Sequence, residues 1–215
     1  FTCGYGLTET NMSGGTVLHR EEIVVEGPEA KRLFSVGKPK VNCDVRVVDE
    51  NDRDVARGSG EAGEIIVRGD TVIRGYWKSP EETARAIKDG WFYTGDLATI
   101  DEDGYIYLVG RKVDTIVLGD RTIHSRDVEE VIYTHPAVLD TAVIGVAARD
   151  GRTKVLAVIS LREGKTATEE EILSLCRQHL APIAVPEGVT FIPAMPRTPS
   201  GKILKRKLRE EFAEA

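Results

Sequence analysis

The chain has 215 residues, of which 41% are hydrophobic and 30% are charged, and its net charge is −6 from 35 acidic and 29 basic residues. This length allows one domain or two modest ones with a hydrophobic core, and the composition is not that of a membrane protein or a disordered chain. The acidic balance disfavours a general nucleic-acid-binding protein, but it leaves room for a small anionic ligand that needs only a local basic patch.

The three cysteines, Cys3, Cys43 and Cys176, are far apart and form no CxxC pair. An odd number at such spacing predicts neither a disulfide framework nor a metal site, and it favours a reducing, cytoplasmic location. No apolar run approaches the roughly 18 residues that span a bilayer, so no transmembrane segment is expected. The chain opens on Phe1 in the middle of a motif, and we therefore expect a fragment that lacks an N-terminal part.

The first half of the chain is predicted to be mainly β-structure. Residues 1–35 are expected to form a loop after a strand and then a polar stretch, and the pattern from about 36 to 109 is that of short strands. Strands are expected at 45–47, 64–69, 97–100 and 105–109, with a hairpin loop at 101–104. A capping Ser79 followed by Pro80 predicts one helix start. Short strands separated by turn signals indicate a small barrel or a curled sheet.

The second half is predicted to alternate strands and helices, which places a domain boundary near 110–114. Strands are expected at 115–118, 141–146, 155–161 and 189–192. One helix is expected over 126–134, and a capping box at 168–171 predicts the start of another. The chain is expected to end in an amphipathic helix whose apolar stripe is Leu204, Leu208 and Phe212.

The segment Gly4-Tyr5-Gly6-Leu7-Thr8-Glu9-Thr10 is the first that could carry chemistry. Its two glycines allow the backbone to approach a ligand closely. Thr8 offers a hydroxyl to a phosphate, and Glu9 offers oxygens to a hard cation such as Mg²⁺. On spacing alone, a polar loop after a strand is the commoner explanation.

Three further residues have two explanations each. Asp96, after a tight glycine turn, could accept the two hydroxyls of a ribose or bond to its own backbone as a plain turn residue. Arg111 could bond to a nucleotide or be a solvated linker residue. Lys202, which follows Ser200-Gly201, could reach a phosphate or carboxylate as a point charge, or belong to a solvated basic face. The other residues of that basic run are Lys205, Arg206, Lys207 and Arg209.

Taken together, and in their order along the chain, these segments resemble the C-terminal part of the adenylate-forming enzymes. This superfamily comprises acyl-CoA synthetases, nonribosomal-peptide adenylation domains and luciferases. The similar motifs are YGxTE at 5–9, GE(L/I)xVxG at 63–69, GYWxxPExT at 75–83, DGWFxTGDL at 89–97, GRxxD at 110–114 and PRTxSGKI at 196–203. The resemblance therefore covers essentially the whole chain.

The resemblance implies an α+β fold. Residues 1–110 would be the end of a large AMP-binding domain with a small β-barrel-like subdomain, and 111–215 a mobile C-terminal lid domain with its hinge near 111–114. It also implies a two-step reaction: a carboxylic acid and ATP give acyl-AMP and pyrophosphate, and a thiol, coenzyme A in the synthetases, then displaces AMP. The ending around Lys202 is more like that of acyl-CoA synthetases, such as fatty-acid–CoA ligases, than that of peptide-synthetase domains.

The resemblance also implies which residues bind the nucleotide: Gly4, Tyr5, Gly6, Thr8, Asp96, Arg111 and Lys202. Tyr5 would lie along the adenine pocket. Thr8 would bond to the α-phosphate, and Glu9 would hold Mg²⁺. These two residues are counted with Lys202 as the catalytic set.

Asp96, Arg111 and Lys202 complete the implied site. Asp96 would accept the ribose hydroxyls with help from Arg111. Lys202 would bridge the carboxylate and α-phosphate oxygens in the first step only, where it would stabilise developing negative charge.

The chain departs from the family pattern in three ways. The hinge position falls on Val113, where Asp or Lys is common, so the polar contacts that stabilise each arrangement of the lid would be absent. Gly119 and Asp120 follow, beside the expected pantetheine tunnel, and the carboxylate of Asp120 could crowd or repel the thiol arm of coenzyme A. The Ser/Thr/Gly-rich phosphate loop is not found in these 215 residues, and we expect the chain alone to be inactive.

Three functions therefore stay open. The first is the C-terminal part of an acyl-CoA synthetase, whose partners would be a small-molecule carboxylic acid, ATP, coenzyme A and the N-terminal part of the same chain. The second is an adenylating enzyme that does not use coenzyme A, and the third is a non-catalytic binding module derived from this family. Binding of nucleic acid through the basic end conflicts with the net charge of −6.

Overall fold

A computed structural model of the chain describes residues 2–11, 15–148 and 151–213. The chain divides into two compact units, Phe1–Lys112 and Val113–Ala215. Helices and sheets occur together and one sheet is curled into a half-barrel, so the predicted α+β class is confirmed. Within the described ranges, no helix has the length and apolar character needed to cross a membrane.

The first unit begins with a small antiparallel sheet. Its strands, in spatial order, are β1 (Cys3–Tyr5), β2 (Thr16–Leu18) and β3 (Lys38–Pro39). Short 3₁₀ helices lie at Thr8–Thr10, Arg20–Glu22 and Pro28–Phe34. The prediction of a loop followed by a polar stretch over 1–35 is thus wrong in part. Strands of three residues are too short to show an alternating pattern, and β2 depends on contacts such as the bond that the buried Thr16 hydroxyl donates to the Val36 carbonyl.

The second sheet of this unit has five strands. They are β4 (Cys43–Val48), β5 (Gly63–Gly69), β6 (Ile87–Lys88), β7 (Trp91–Ile100) and β8 (Ile106–Arg111). Strand β7 is central, because it pairs antiparallel with β5, β6 and β8. The inward side chains Ile65, Val67, Ala98 and Ile106 form the core of the unit.

A short helix, α1 (Pro80–Ala86), precedes β6. Pro80 occupies its first turn, as predicted, but the prediction that Ser79 caps the helix with its side chain is wrong. Instead the backbone carbonyl of Ser79 accepts bonds from the amide and the hydroxyl of Thr83. The first turn is thus closed by the backbone of Ser79 together with the side chain of Thr83.

The second unit starts with a hairpin and continues with a three-stranded sheet. The hairpin strands are β9 (Thr115–Leu118) and β10 (Arg121–His124), and the sheet, in spatial order, is β11 (Val138–Ala147), β12 (Thr153–Leu161) and β13 (Gly188–Phe191). The helices are α2 (Ser125–Tyr133), α3 (Glu169–His179) and α4 (Lys205–Phe212), and a 3₁₀ turn lies at Pro182–Ala184. Strand β10 was not predicted. The strands and helices that were predicted for this half are present, with small differences at their ends.

The three-stranded sheet has a packed core on each face, which follows from the period of two along a strand. On one face, Val143 and Ile159 pack with residues of α2 and α3 such as Ile132. On the other, Ile144 packs with Leu208 of α4. Helices therefore cover both faces of this sheet.

The predicted capping box is confirmed at the start of α3. The Thr168 hydroxyl oxygen accepts from the Glu171 amide at 3.2 Å, and Glu171 accepts from the Thr168 amide at 2.7 Å. Two backbone donors at the start of the helix are satisfied in this way.

Candidate active site

The first candidate cluster joins the beginning of the chain to the central strand β7. The hydroxyl of Tyr5 donates to Oδ2 of Asp96 at 2.7 Å, and Nε of Arg111 donates to Oδ1 at 3.0 Å. Asp96 and Arg111 are opposite each other in the β7–β8 register. The Asp96 side chain is 12% exposed, and Tyr5 is buried. Burial, and then the bond to Asp96, raise the pKa of Tyr5 far above its usual value, so its hydroxyl remains a donor.

Asp96 lies inside β7, so the prediction of a tight glycine turn before it is wrong. The β5–β7 pairing shifts register between Glu64 and Ile66, and the extra residues of β7 form a bulge that contains Gly95. The φ of Gly95 is +72°, and its amide donates to Oε1 of Glu64 at 3.0 Å. Bulges change the direction of neighbouring side chains, which here turns the Asp96 carboxylate toward Tyr5.

The glycine-rich segment continues from Tyr5 into the 3₁₀ turn Thr8–Thr10. The buried Thr10 hydroxyl holds this turn by accepting from the Leu7 amide at 2.8 Å. Thr8, whose hydroxyl is a predicted ligand of a phosphate, is exposed.

Gly4 has a local reason to be glycine, because a Cβ there would lie 2.8 Å from the Thr16 carbonyl oxygen on β2. Gly6 is half-buried and links β1 to the turn.

Glu9 is held by a residue that the sequence did not single out. The Tyr76 hydroxyl donates to Oε1 of Glu9 at 3.1 Å, and the Ile73 amide donates to the Glu9 carbonyl at 2.8 Å. Burial, and then the charge of Glu9, raise the pKa of Tyr76. Tyr76 belongs to the GYW segment at 75–77, but no pattern in one dimension indicates that it contacts Glu9.

The donor set at Glu9 fits a magnesium ion that takes most of its ligands from a substrate. Within the described ranges, no group of three or more His, Cys, Asp or Glu side chains is placed to hold a metal. Mg²⁺ usually keeps several waters and binds one or two carboxylates together with substrate phosphates, so a single glutamate beside Thr8 is compatible with it.

Lys112 is a further residue that the sequence reasoning missed. Its Nζ lies 2.9 Å from Oε2 of Glu64, the side chain that also binds the Gly95 amide. Glu64 therefore joins the bulge beside Asp96 to the end of this unit. Val113, the predicted hinge residue, lies in the 3₁₀ turn Lys112–Asp114 and is 70% exposed.

Gly119 and Asp120, the predicted tunnel residues, form the two-residue turn of the β9–β10 hairpin. Gly119 has a φ of +65°, which fits a glycine at the first turn position of a two-residue hairpin loop. The Asp120 side chain is exposed. The motif difference at 119–120 thus falls on a tight turn of the second unit.

Lys202 extends from a closed loop between β13 and α4. The Thr198 amide donates to the Lys202 carbonyl at 2.8 Å, and the Lys202 amide donates to Oγ1 of Thr198 at 3.1 Å. The Gly201 amide donates to the Thr198 carbonyl at 2.9 Å. The ammonium group of Lys202 is exposed and has no partner within the described ranges. The structure therefore presents a fixed backbone with a free point charge.

The prediction of a solvated basic face is wrong for two of its residues, Lys205 and Arg209. Nζ of Lys205 lies 2.6 Å from Oε1 of Glu129 and donates to the Ser125 hydroxyl at 2.8 Å, and the Lys205 and Glu129 side chains are each 15% exposed. Arg209 binds Asp114 at 2.6 Å. These contacts hold α4 against the rest of the second unit.

Two family profiles match the chain. The AMP-binding enzyme profile matches residues 1–77, and the profile of the AMP-binding enzyme C-terminal domain matches 127–202. The chain belongs to the AMP-binding, adenylate-forming enzymes. The segments with Thr8 and Lys202 lie within the two matched regions.

Curated and solved members of this family align along nearly all of the chain. A long-chain-fatty-acid–CoA ligase of Bacillus subtilis is 38% identical over 211 residues, which are 98% of this chain and 36% of the ligase. A feruloyl-CoA synthase of an Amycolatopsis species is 39% identical over 99% of this chain and 41% of the synthase. The chain thus spans about 40% of the length of these relatives.

A solved member of the family gives the same fold. The o-succinylbenzoate CoA synthetase of Bacillus subtilis, in complex with its acyl-adenylate intermediate, is 28% identical with a TM-score of 0.84, and the match covers all of this chain and 41% of that one. The predicted family and fold are therefore confirmed.

Proposed function

We propose that the protein containing these residues is an ATP-dependent acid–thiol ligase of the acyl-CoA synthetase type. In the first step a carboxylate oxygen attacks the α-phosphorus of ATP, the bond to the β-phosphate oxygen breaks, and pyrophosphate leaves. In the second step the thiol sulfur of coenzyme A attacks the acyl carbonyl, AMP leaves with the bonding electron pair, and the thiol proton is released. The relatives that align along nearly all of the chain are named as a CoA ligase and a CoA synthase, and these names support this choice.

The Tyr5–Asp96–Arg111 cluster is the observation that carries the nucleotide part of the proposal. An ionised carboxylate has about four lone-pair sites. The two bonds from Tyr5 and Arg111 come one to each oxygen of Asp96, which leaves a site on each for a second donor. A ribose offers two adjacent hydroxyls, which suit a carboxylate held in this way. Tyr5 lies at the same place, which is compatible with its proposed position along the adenine pocket.

Thr8 and Glu9 follow directly and would face the phosphates. The Thr8 hydroxyl would donate to an α-phosphate oxygen. Glu9, held through Oε1 by Tyr76, would offer Oε2 to Mg²⁺. When bound, the ion would offset the negative charge of the phosphate groups.

Lys202 would act in the first step as a point charge. Its three N–H donors suit two separate oxygens, one of the carboxylate and one of the α-phosphate, while negative charge builds between them.

Val113 would serve as the hinge at which the second unit changes its position between the two steps. Gly119 and Asp120 would line the path of the thiol arm, and the protein would act in the cytoplasm.

The test uses the longer protein that contains this chain. ATP–pyrophosphate exchange with a panel of fatty and aromatic acids measures the first step, and thioester formation from supplied acyl-adenylate and coenzyme A measures the second. We expect Lys202→Ala to abolish exchange and to preserve the second step, with Arg206→Ala as the matched control because Arg206 is 86% exposed on α4. Equal loss of both steps in Lys202→Ala would contradict the role of Lys202.

The same assays separate the alternatives. Exchange without thioester formation would favour an adenylating enzyme with another acceptor, for which the Asp120 carboxylate gives a physical reason. Absence of exchange with every acid would favour a non-catalytic binding module.

A further inference from the structure

The loop that carries Lys202 is tied to the sheet by a second basic residue, Arg197. Its Nη1 donates to the Gly201 carbonyl at 2.5 Å, and its Nη2 donates to Oδ1 of Asp140 at 2.5 Å. Gly201 is the residue immediately before Lys202. Asp140 lies on β11, where the pairing with β12 shifts register between Val138 and Asp140. One guanidinium group therefore connects the sheet of the second unit to the peptide group from which Lys202 extends.

The base of the loop is closed as well. Arg197 forms an antiparallel bridge with Ile203, and the Leu204 amide donates to the Pro196 carbonyl at 2.8 Å. With the bonds from Thr198, both the amide and the carbonyl of Lys202 have partners.

We propose that Arg197, oriented by Asp140, is a positioning residue that fixes the backbone of Lys202 for the adenylation step. The inference rests on the proposed function of Lys202. A lysine side chain has large rotamer freedom, so a fixed backbone leaves only its own torsions to be ordered when it meets the reacting oxygens. A planar guanidinium with five donors reaches two acceptors at once in a fixed geometry, which an ammonium cannot do.

Other contacts hold α4 in place without Arg197. Leu208 is fully buried against the sheet, and Lys205 is paired with Glu129. The Arg197 side chain is 43% exposed, so its removal uncovers little apolar surface. Loss of Arg197 is therefore expected to loosen the Lys202 loop more than it destabilises the unit.

The kinetic test compares Arg197→Ala, Arg197→Lys and Asp140→Asn in the longer protein that contains this chain. We expect Arg197→Ala to lower kcat of ATP–pyrophosphate exchange about 10- to 100-fold. KM for ATP and thioester formation from supplied acyl-adenylate should remain unchanged. Arg197→Lys should recover only part of the loss, and Asp140→Asn should lose less than Arg197→Ala because the amide oxygen still accepts from the guanidinium. Arg206→Ala is the control for loss of an exposed cation from the same unit.

A second measurement does not depend on activity. Hydrogen exchange at the Lys202 amide, which donates to Thr198, should become faster in Arg197→Ala while amides of β11 and β12 keep their protection. If the wild-type protein adenylates no acid, the proposed function fails, and this measurement still decides whether Arg197 positions the loop.

Three results would overturn the inference. They are wild-type exchange kinetics in Arg197→Ala, equal losses in both chemical steps, or unchanged protection of the Lys202 amide. If Arg197→Ala does not fold, Asp140→Ala decides, because it removes the acceptor that orients the guanidinium and leaves Arg197 itself in place. A selective loss of adenylation in that variant supports the inference, and wild-type adenylation contradicts it.

Discussion

The Tyr5 hydroxyl donates to Oδ2 of Asp96 at 2.7 Å across a separation of 91 residues. The bond joins β1 of the small sheet to β7, the centre of the half-barrel sheet. Both residues are buried, and Asp96 also accepts from Arg111. The bond therefore connects the two sheets of the first unit at the place where a ribose is proposed to bind.

The first prediction concerns Tyr5→Phe, which keeps the ring and removes the donor. Because a buried carboxylate oxygen then loses a partner, we expect the free energy of unfolding to fall by about 1–3 kcal/mol. In the longer protein, KM for ATP should rise. Urea unfolding followed by tryptophan fluorescence and ATP-dependent exchange measure the two effects.

Tyr93→Phe is the control for this change, since the Tyr93 hydroxyl donates to Asp52 at 2.9 Å in an exposed contact. It should cost less than about 0.5 kcal/mol. Equal losses of unfolding free energy in the two variants would show that the bond between Tyr5 and Asp96 stabilises the unit no more than an exposed hydrogen bond does.

The second prediction concerns the ion pair between Lys205 and Glu129, which is 2.6 Å long and mostly buried. Lys205→Met leaves the Glu129 charge without its partner and should lower the free energy of unfolding by about 3 kcal/mol. The double change Lys205→Met with Glu129→Gln should recover a large part of this loss, because the uncompensated charge is removed. Urea unfolding of the four proteins in the cycle gives the coupling.

Arg206→Met supplies the comparison on the same helix. Arg206 is exposed and lies 3.8 Å from Glu210, an i,i+4 pair worth about 0.3–0.5 kcal/mol. If Lys205→Met were as mild as Arg206→Met, the pair between Lys205 and Glu129 would not hold α4 in place.

Local features were predictable because the signal and the structure lie within a few residues of each other. The capping box at 168–171 needs only a helix to follow, and strand β9 has the bounds that its apolar run predicts. The association of Asp96 with Arg111 was implied only by the family resemblance, and the structure places the two residues opposite each other in the β7–β8 hairpin.

The contacts that assemble the site were not predictable in the same way. Lys205 meets Ser125 across 80 residues and Arg197 meets Asp140 across 57, and such pairs depend on strand register and helix packing. A run of basic residues does not show which members face the core. Gly95 illustrates a second cause, since a glycine with positive φ serves a tight turn and a β-bulge equally well.

The third prediction uses the cysteines as reporters of burial. Cys3 is exposed, whereas Cys176 of α3 is buried, and burial raises the pKa of the Cys176 thiol to about 11. Since the thiolate is the reactive form, Cys3 should be modified by a thiol reagent at about pH 8 long before Cys176. Mass spectrometry of the modified chain measures this. Early modification of Cys176 without unfolding would contradict its placement in the core.

The raised pKa of Cys176 also sets a direction with pH. The unfolded thiol loses its proton near its ordinary pKa of 9.0, whereas the folded thiol keeps it to about 11. The contribution of Cys176 to stability is therefore full below about pH 9 and is lost as the pH rises toward 11. Cys176→Ala should reduce the fall in urea midpoint over this range relative to the wild-type chain, and an identical fall would count against the shift.

The fourth prediction contrasts two glycines with positive φ in the first unit. A Cβ on Gly37 would lie 2.0 Å from the Val17 carbonyl oxygen, whereas a Cβ on Gly95 meets no atom within 4 Å. Gly37→Ala must displace β2 and should cost more than about 4 kcal/mol. Gly95→Ala carries only the left-handed backbone cost of about 1–2 kcal/mol, and Gly95→Asn should cost less because asparagine tolerates this conformation better.

Gly95 also tests what the bulge does for the site. Its backbone aims the Asp96 carboxylate, so a shift of its φ should weaken ATP binding in the longer protein more than it weakens folding. We expect Gly95→Ala to raise KM for ATP and Gly95→Asn to restore it in part, with urea unfolding measured alongside. If both variants bound ATP as the wild type does, the direction of Asp96 would not depend on the bulge, and its contacts with Tyr5 and Arg111 would suffice to hold it.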